Sequence, residues 1–392
     1  MSSAPRAERL RVFAVEDTTA QVTWGALGPG AVTVRAADAT VEIEADGGPG
    51  AVVLDHLPPD RLLTVTVAGS GVPDGRRELL ARTLRALPGE ELTRLATISD
   101  VHLGNRHFGY FGTIVEEPAP PVPHPERCAS AALRESAAWG AQRLVVKGDV
   151  TDNGEPDEWR TFRRLRDTFD GPVDVIPGNH DVRRRAGLTP VEVAAGFGLD
   201  MTESVSVHDL PGLRLILMNT TLPGRNIGRL ETLAPTVFEA LETADPATGV
   251  LIAVHHQLQP HRTAEGWPWG IPHDESRRFI EAVGARHRHV LITSGHTHRH
   301  RRWAHAGVTT TQVGSTKDYP GVWAGYVVHE GGMRQVVRRV MASDVMPWTE
   351  RTRWAALGAW GLVSPGRLDA RCFAVPWFAA PSASPPSAIV GG

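Results

Sequence analysis

Lysine is nearly missing from this 392-residue chain: of 41 Lys and Arg residues only Lys147 and Lys317 are lysine. The bias fits a GC-rich coding sequence, and no chemistry follows from arginine abundance alone. Cysteine is equally scarce. Cys128 and Cys372 lie far apart with no C-x-x-C spacing, which excludes a disulfide framework and a zinc–thiolate site and fits a reducing compartment. No apolar run approaches the roughly 18 residues that span a bilayer, and MSSAPRAERLRVFAVE at the start lacks the apolar centre of a secretion signal. A cytoplasmic chain is expected. Excess charge is also missing: 41 basic against 44 acidic residues leave a net charge of -3, so bulk electrostatics gives no reason to expect a nucleic-acid or membrane partner. The remaining composition, 41% hydrophobic and 22% charged, is that of a globular chain. Its length predicts two or three domains.

Residues 1–88 read as short alternating segments separated by turn residues, among them RVFAV, AQVTWGAL, AVTVRA, TVEIEA, AVVLDHL and LLTVTVAG. Val22 and Trp24, Val32 and Val34, Val41 and Ile43, and Leu63, Val65 and Val67 each share parity, so each set faces one side of a strand. The pattern predicts a small all-β sandwich, a packing or spacer module in which no polar groups converge. From 89 to 340 apolar runs alternate with helical stretches such as 126–141 and 157–169, the α/β signature. Residues 341–392 read as a C-terminal extension: a tryptophan-containing segment at 347–360, then a Pro/Ser/Gly-rich tail expected to be disordered.

Five of the six apolar runs end in metal-type ligands. LATIS is followed by Asp100-Val-His102, RLVVK by Gly148-Asp149-Val-Thr-Asp152, and VDVI, after Pro177, by Gly178-Asn179-His180-Asp181. GVLIAV is followed by His255-His256, and HVLITS by Gly295-His296-Thr-His298. The carboxyl ends of strands in an open α/β sheet converge on one crevice, so clusters spread over nearly two hundred residues can form one site.

In this order the motifs resemble the calcineurin-like metallophosphoesterase superfamily over roughly residues 93–330, most closely its bacterial class III (cyclic-nucleotide type) phosphodiesterases. Residues 1–88 resemble a fibronectin type III-like module, with Trp24 as its core tryptophan. The superfamily resemblance implies a four-layer α/β/β/α domain. It also implies a site in which Asp100, His102 and His298 bind one metal, Asn179, His255 and His296 bind a second, and Asp149 bridges them. Two cations about 3.5–4 Å apart neutralise a phosphoester's nonbridging oxygens and supply a hydroxide for in-line attack at neutral pH. Oxygen and imidazole ligands without thiolate admit iron, manganese or zinc.

His180, with no metal role in that scheme, is expected to donate a proton or hydrogen bond to the phosphoryl or leaving oxygen. Asp181 is expected to orient it, and Asp152 to stand behind the ligands. His256 is expected to point to the opposite side from His255 if the strand continues through them. Purple acid phosphatases carry Tyr and Gly where this chain has Asp152 and His102, and protein phosphatases carry an Asp-Arg-Gly where it has Asp152-Asn153-Gly154. Both readings are therefore disfavoured. Phe108, Tyr110 and Phe111, then Trp267 and Trp269, then Lys317, are candidates to line a substrate pocket. The expected activity is hydrolysis of a small-molecule phosphoester, a diester of the cyclic-nucleotide or glycerophosphodiester kind. The alternatives are a phosphomonoesterase and, in another class, a non-catalytic scaffold, against which the complete ligand set argues.

Overall fold

Period-two alternation sorts the strands of the α/β region into separate cores. In the strand Leu213–Met218, Leu213, Leu215 and Leu217 enter one core and Ile216 and Met218 another. Gly249–Val254 repeats this, with Leu251 and Ala253 on one side and Val250, Ile252 and Val254 on the other. In Arg143–Lys147, Val145 faces the first of these cores while Leu144 and Val146 face a third. Strands apolar on both faces must be covered on both faces, and each fully buried Leu or Ile stabilises the fold by roughly 1.5–3 kcal/mol.

The computed structural model describes residues 9–109, 112–181, 188–259, 261 and 268–377. Two six-stranded sheets pack face to face over the shared core. In the first the order is Val173–Ile176, Arg143–Lys147, Glu91–Ile98, Val322–His329, Gly332–Arg339 and Phe373–Pro376. In the second it is Val205–Leu210, Leu213–Met218, Gly249–Val254, Val290–Ser294, Val308–Gln312 and Arg301–His305. The helices His124–Ala138 and Pro156–Arg166 cover the outer face of the first sheet through Cys128, Ala132, Trp159 and Phe162. Ala234–Glu242 and His273–Arg286 cover the second through Val237, Leu241, Phe279 and Ile280. This is the α/β/β/α layering. Among the described residues no helix is long and apolar enough to cross a membrane.

The N-terminal region is all-β and antiparallel. A three-stranded sheet with Ala20–Trp24 between Arg11–Val15 and Gly50–Leu54 faces a four-stranded one ordered Ala39–Ala45, Gly30–Ala36, Leu62–Ala68 and Arg76–Arg82. The last strand, RRELLAR, is absent from the sequence reading because its charges mask the alternation; Ala81 is buried and Leu80 exposed. The two regions are joined by specific polar contacts. The Gln21 side-chain amide donates to the Arg339 carbonyl at 2.8 Å and accepts from the Arg339 N–H at 2.9 Å, and the Arg371 guanidinium donates to the Phe13 carbonyl.

The C-terminal segment folds back rather than trailing away. After the helix Met346–Thr352 and the short helix Ala359–Val363, the strand Phe373–Pro376 joins the edge of the first sheet against Gly332–Arg339. The Pro/Ser-rich tail lies outside the described residues.

Candidate metal centre

Strands Glu91–Ile98, Arg143–Lys147 and Val173–Ile176 run parallel, as do Gly249–Val254 and Val290–Ser294. Their carboxyl ends therefore share one edge, and the five loops with the candidate ligands meet there. Loop cross-links hold them in register. The Asp100 N–H donates to the Gly148 carbonyl at 3.1 Å, His102 N–H to Asp149 at 2.9 Å, and Gly295 N–H to His255 at 3.0 Å. Asp100, His102, Asp149, His296 and His298 all have positive φ, between 49° and 66°. Side chains rarely adopt this region, and several adjoining non-glycine examples mark a site where the fold holds strain.

Asp149 lies at the centre. Its Oδ2 is 3.3 Å from His255 Nε2 and 3.6 Å from His102 Nε2, while Oδ1 accepts the His180 N–H at 2.8 Å. On one side, Asp100 Oδ1 is 3.3 Å from His298 Nε2. On the other, His255 Nε2 is 3.2 Å from both Asn179 Oδ1 and His296 Nδ1. Asp100, His102 and His298 offer ligand atoms all within 4.8 Å of one another, as do Asp100, Asp149 and His255.

The rear nitrogens are tied down. His298 Nδ1 donates to Asp318 Oδ2 at 2.6 Å, His102 Nδ1 to Asp152 Oδ1 at 3.2 Å, and His255 Nδ1 to the Lys147 carbonyl at 2.8 Å. Each bond selects one tautomer and turns Nε2 inward. His296 is reversed: its Nε2 faces the Trp269 carbonyl at 3.3 Å, leaving Nδ1 toward His255. His102 Nε2 is buried with no hydrogen-bond partner. An orphaned imidazole nitrogen facing a carboxylate fits a cation between them better than it fits a packed core.

The match to known proteins follows the same loops. The calcineurin-like phosphoesterase family model covers residues 93–300, more than half of the chain. The chain belongs to that family. It is 26% identical over 163 residues to a protein of Arcobacter nitrofigilis named as a probable glycerophosphodiester phosphodiesterase, covering 40% of this chain and 56% of that one. It is 32% identical over 126 residues to a cAMP/cGMP dual specificity phosphodiesterase of Mycobacterium tuberculosis, covering 30% of this chain and 37% of that one. The chain thus spans about half or less of the length of the curated relatives it matches. A dimetal phosphatase from Danio rerio superposes with a TM-score of 0.47 at 16% identity over 64% of this chain and 97% of that one.

Electrostatics in this site divides the candidate ligands. Burial would raise the Asp149 carboxyl, but the His255 and His180 rings hold it well below the usual carboxylate range. Asp100 is held low against burial by His298. Burial disfavours charge on His255 and His298 too, yet the facing carboxylates push them up to about 9 and about 10. Burial wins at His102 and His296, which fall to about 4 and about 3.

Two expectations change. Asp181 does not orient His180: its Oδ1 accepts from the Thr151 N–H at 2.8 Å and hydroxyl at 2.9 Å, and its Oδ2 from the Gly178 N–H at 2.7 Å. The carboxylate is buried beneath the loop, staples the two motifs together, and is pushed up to about 7 by burial and by Asp149. His180 Nδ1 instead donates to the Asp152 carbonyl at 3.1 Å. His256 does not turn away, because the strand ends at Val254 and alternation ends with it. Its Nδ1 is 2.9 Å from Thr220 Oγ1, its ring centroid 4.7 Å from that of His296, and its Nε2 unpartnered.

The sequence reading did not find Asp318, whose only signal is its place beside Lys317. It also missed the Lys147 ammonium, fully buried and donating across the sheets to the Ser294 carbonyl at 2.9 Å and Thr293 Oγ1 at 3.0 Å. Tyr110, Phe111 and Trp267 lie outside the described residues. Trp269 is 62% exposed.

Proposed function

We propose that this chain hydrolyses phosphodiesters with a dinuclear metal centre, its first metal held by Asp100, His102 and His298, its second by Asn179, His255 and His296, and both by Asp149. The observation that carries the reading is Asp149 Oδ2 standing between two inward Nε2 atoms, at 3.3 Å and 3.6 Å. When bound, two such ions supply charge neutralisation at the phosphoryl oxygens and an activated water. Imidazole and oxygen donors without thiolate suit iron, manganese or zinc.

The chain's own residues supply the rest. Asp152, Asp318 and the Lys147 carbonyl fix the imidazoles so that no reorganisation is needed when substrate arrives. His180, 23% exposed and edge-on to His102 at 4.6 Å, has its Nδ1 engaged by the Asp152 carbonyl, and its Nε2 gives a hydrogen bond or proton to the leaving oxygen. A diester monoanion is neutralised by two metals, whereas a monoester dianion needs further fixed cations. Phosphodiesterase-named relatives support the same substrate class.

The test is kcat/KM for bis-nitrophenyl phosphate and for the monoester at equal pH and metal loading, in wild type and Asp149→Ala. The expected result is a diester preference, with Asp149→Ala losing metal and turnover together. A clear excess for the monoester would move the protein to the phosphomonoesterase reading. Normal metal content and turnover in Asp149→Ala would overturn the ligand assignment.

A further inference from the structure

The C-terminal segment, outside the family match at 93–300, reaches the mouth of the metal centre. The Trp360 ring lies 6.5 Å from that of His298 and 5.7 Å from that of Phe108, tilted at 56° to the latter. Lys317 Nζ lies 5.0 Å from the Phe108 centroid. Both residues are only partly buried, so neither is fully enclosed in the core.

The segment is docked onto the loops that carry the ligands. The His300 N–H donates to the Ser364 carbonyl at 3.0 Å, and Arg301 Nη1 to the Val363 carbonyl at 3.2 Å. Trp348 Nε1 donates to the Lys317 carbonyl at 2.7 Å, and the Tyr319 N–H to Thr352 Oγ1 at 2.9 Å. Local preference does not favour this path. Ala356, Leu357 and Gly358 are consecutive left-handed residues with φ of 51°, 57° and 89°, and the Trp360 indole N–H is buried with no acceptor among the described residues. Departures from local rules that are held in place by tertiary contacts collect at functional sites.

We infer that Trp360, with Phe108, is a specificity residue of this site: the pair forms an aryl-binding wall beside the His298 side of the centre, on which the planar substituent of a nucleoside or aryl diester stacks. This rests on the phosphodiesterase reading above. An aliphatic diester such as a glycerophosphodiester has no planar group to place there, so the wall discriminates between the two substrate chemistries. Stacking of a base on an aromatic side chain corresponds to about 5- to 100-fold in binding.

The experiment measures kcat and KM of metal-loaded wild type, Trp360→Leu and Phe108→Leu with 3′,5′-cyclic AMP and with glycerophosphocholine. Metal content and circular dichroism accompany each variant. The expected result is a 5- to 100-fold fall in the cyclic AMP/glycerophosphocholine ratio of kcat/KM, carried mainly by KM, with two metals retained. Phe108→Leu reads the same ratio if Trp360→Leu does not fold. A proportional loss on both substrates, or loss of metal, would make the pair a packing element and overturn the inference while leaving the function standing. A wild type that turns over glycerophosphocholine but not cyclic AMP would overturn it as well. Metal-loaded wild type inactive on every diester would instead remove the phosphodiesterase reading, and this inference with it.

Discussion

Asp318 Oδ2 accepts a 2.6 Å hydrogen bond from the Nδ1 of His298, and the carboxylate is fully buried behind the ring. A carboxylate in that position sets the imidazole's tautomer and raises its basicity toward a cation, and losing one costs 10–100-fold in metal affinity in comparable sites. Asp318→Asn should lower affinity for one of two metals by about that factor while the other remains. Isothermal titration with manganese or zinc checks this, and two unchanged binding events would show that His298 is oriented by something else.

His180 separates the chemistry from the metals. Its backbone N–H is bound to Asp149 and its ring to the Asp152 carbonyl, so His180→Ala removes the ring and leaves the backbone contact. Such a variant should retain both metals and lose about 10²-fold or more in kcat, the range for one general acid or one oxyanion donor. Metal analysis beside steady-state kinetics decides it. A drop in metal content would make His180 a ligand, as its closeness to His102 and Asp149 permits.

Gly178 is constrained by space. A Cβ there would stand 2.2 Å from the Asp149 amide nitrogen and from its Oδ1, contacts that a rigid backbone cannot relieve. Gly178→Ala should therefore move the central carboxylate, destabilise the fold by roughly 1–3 kcal/mol as overpacking does, and reduce metal content. A variant with wild-type melting temperature and metal content would show that the loop can shift at no cost.

His124 gives the protein a pH sensitivity away from the metal centre. It stacks on Trp348 at 3.7 Å and lies 3.4 Å from Glu116. Burial, outweighing Glu116, holds its pKa at about 4 against an ordinary 6.5. Between those values the unfolded chain binds more protons than the folded one, so stability falls as pH drops through that window. At pH 5 the cost is about 2 kcal/mol. The urea midpoint should fall between pH 7 and pH 5 by less in His124→Asn than in wild type. Equal falls would mean that other groups carry the acid sensitivity.

Five His- and Asp-bearing clusters at the ends of apolar runs were legible in the sequence because strand alternation and strand-end motifs are local, and parallel strands bring their carboxyl ends to one edge whatever the details of packing. The same locality explains what escaped. Asp318, the Lys147 carbonyl and Trp360 act through contacts 20, 108 and 62 residues from His298, His255 and His298 respectively along the chain, and nothing in their neighbouring residues announces those partners. Asp181 was assigned to His180 on adjacency, but the turn directs its carboxylate inward to the Thr151 and Gly178 amides. Residue type and period thus determined the layers of this protein and the loops that carry its candidate ligands. Which nitrogen of each histidine faces inward, and which residues from the C-terminal segment close over the site, was decided only by tertiary packing, because a hydrogen bond across sheets depends on three-dimensional proximity that no window of sequence contains.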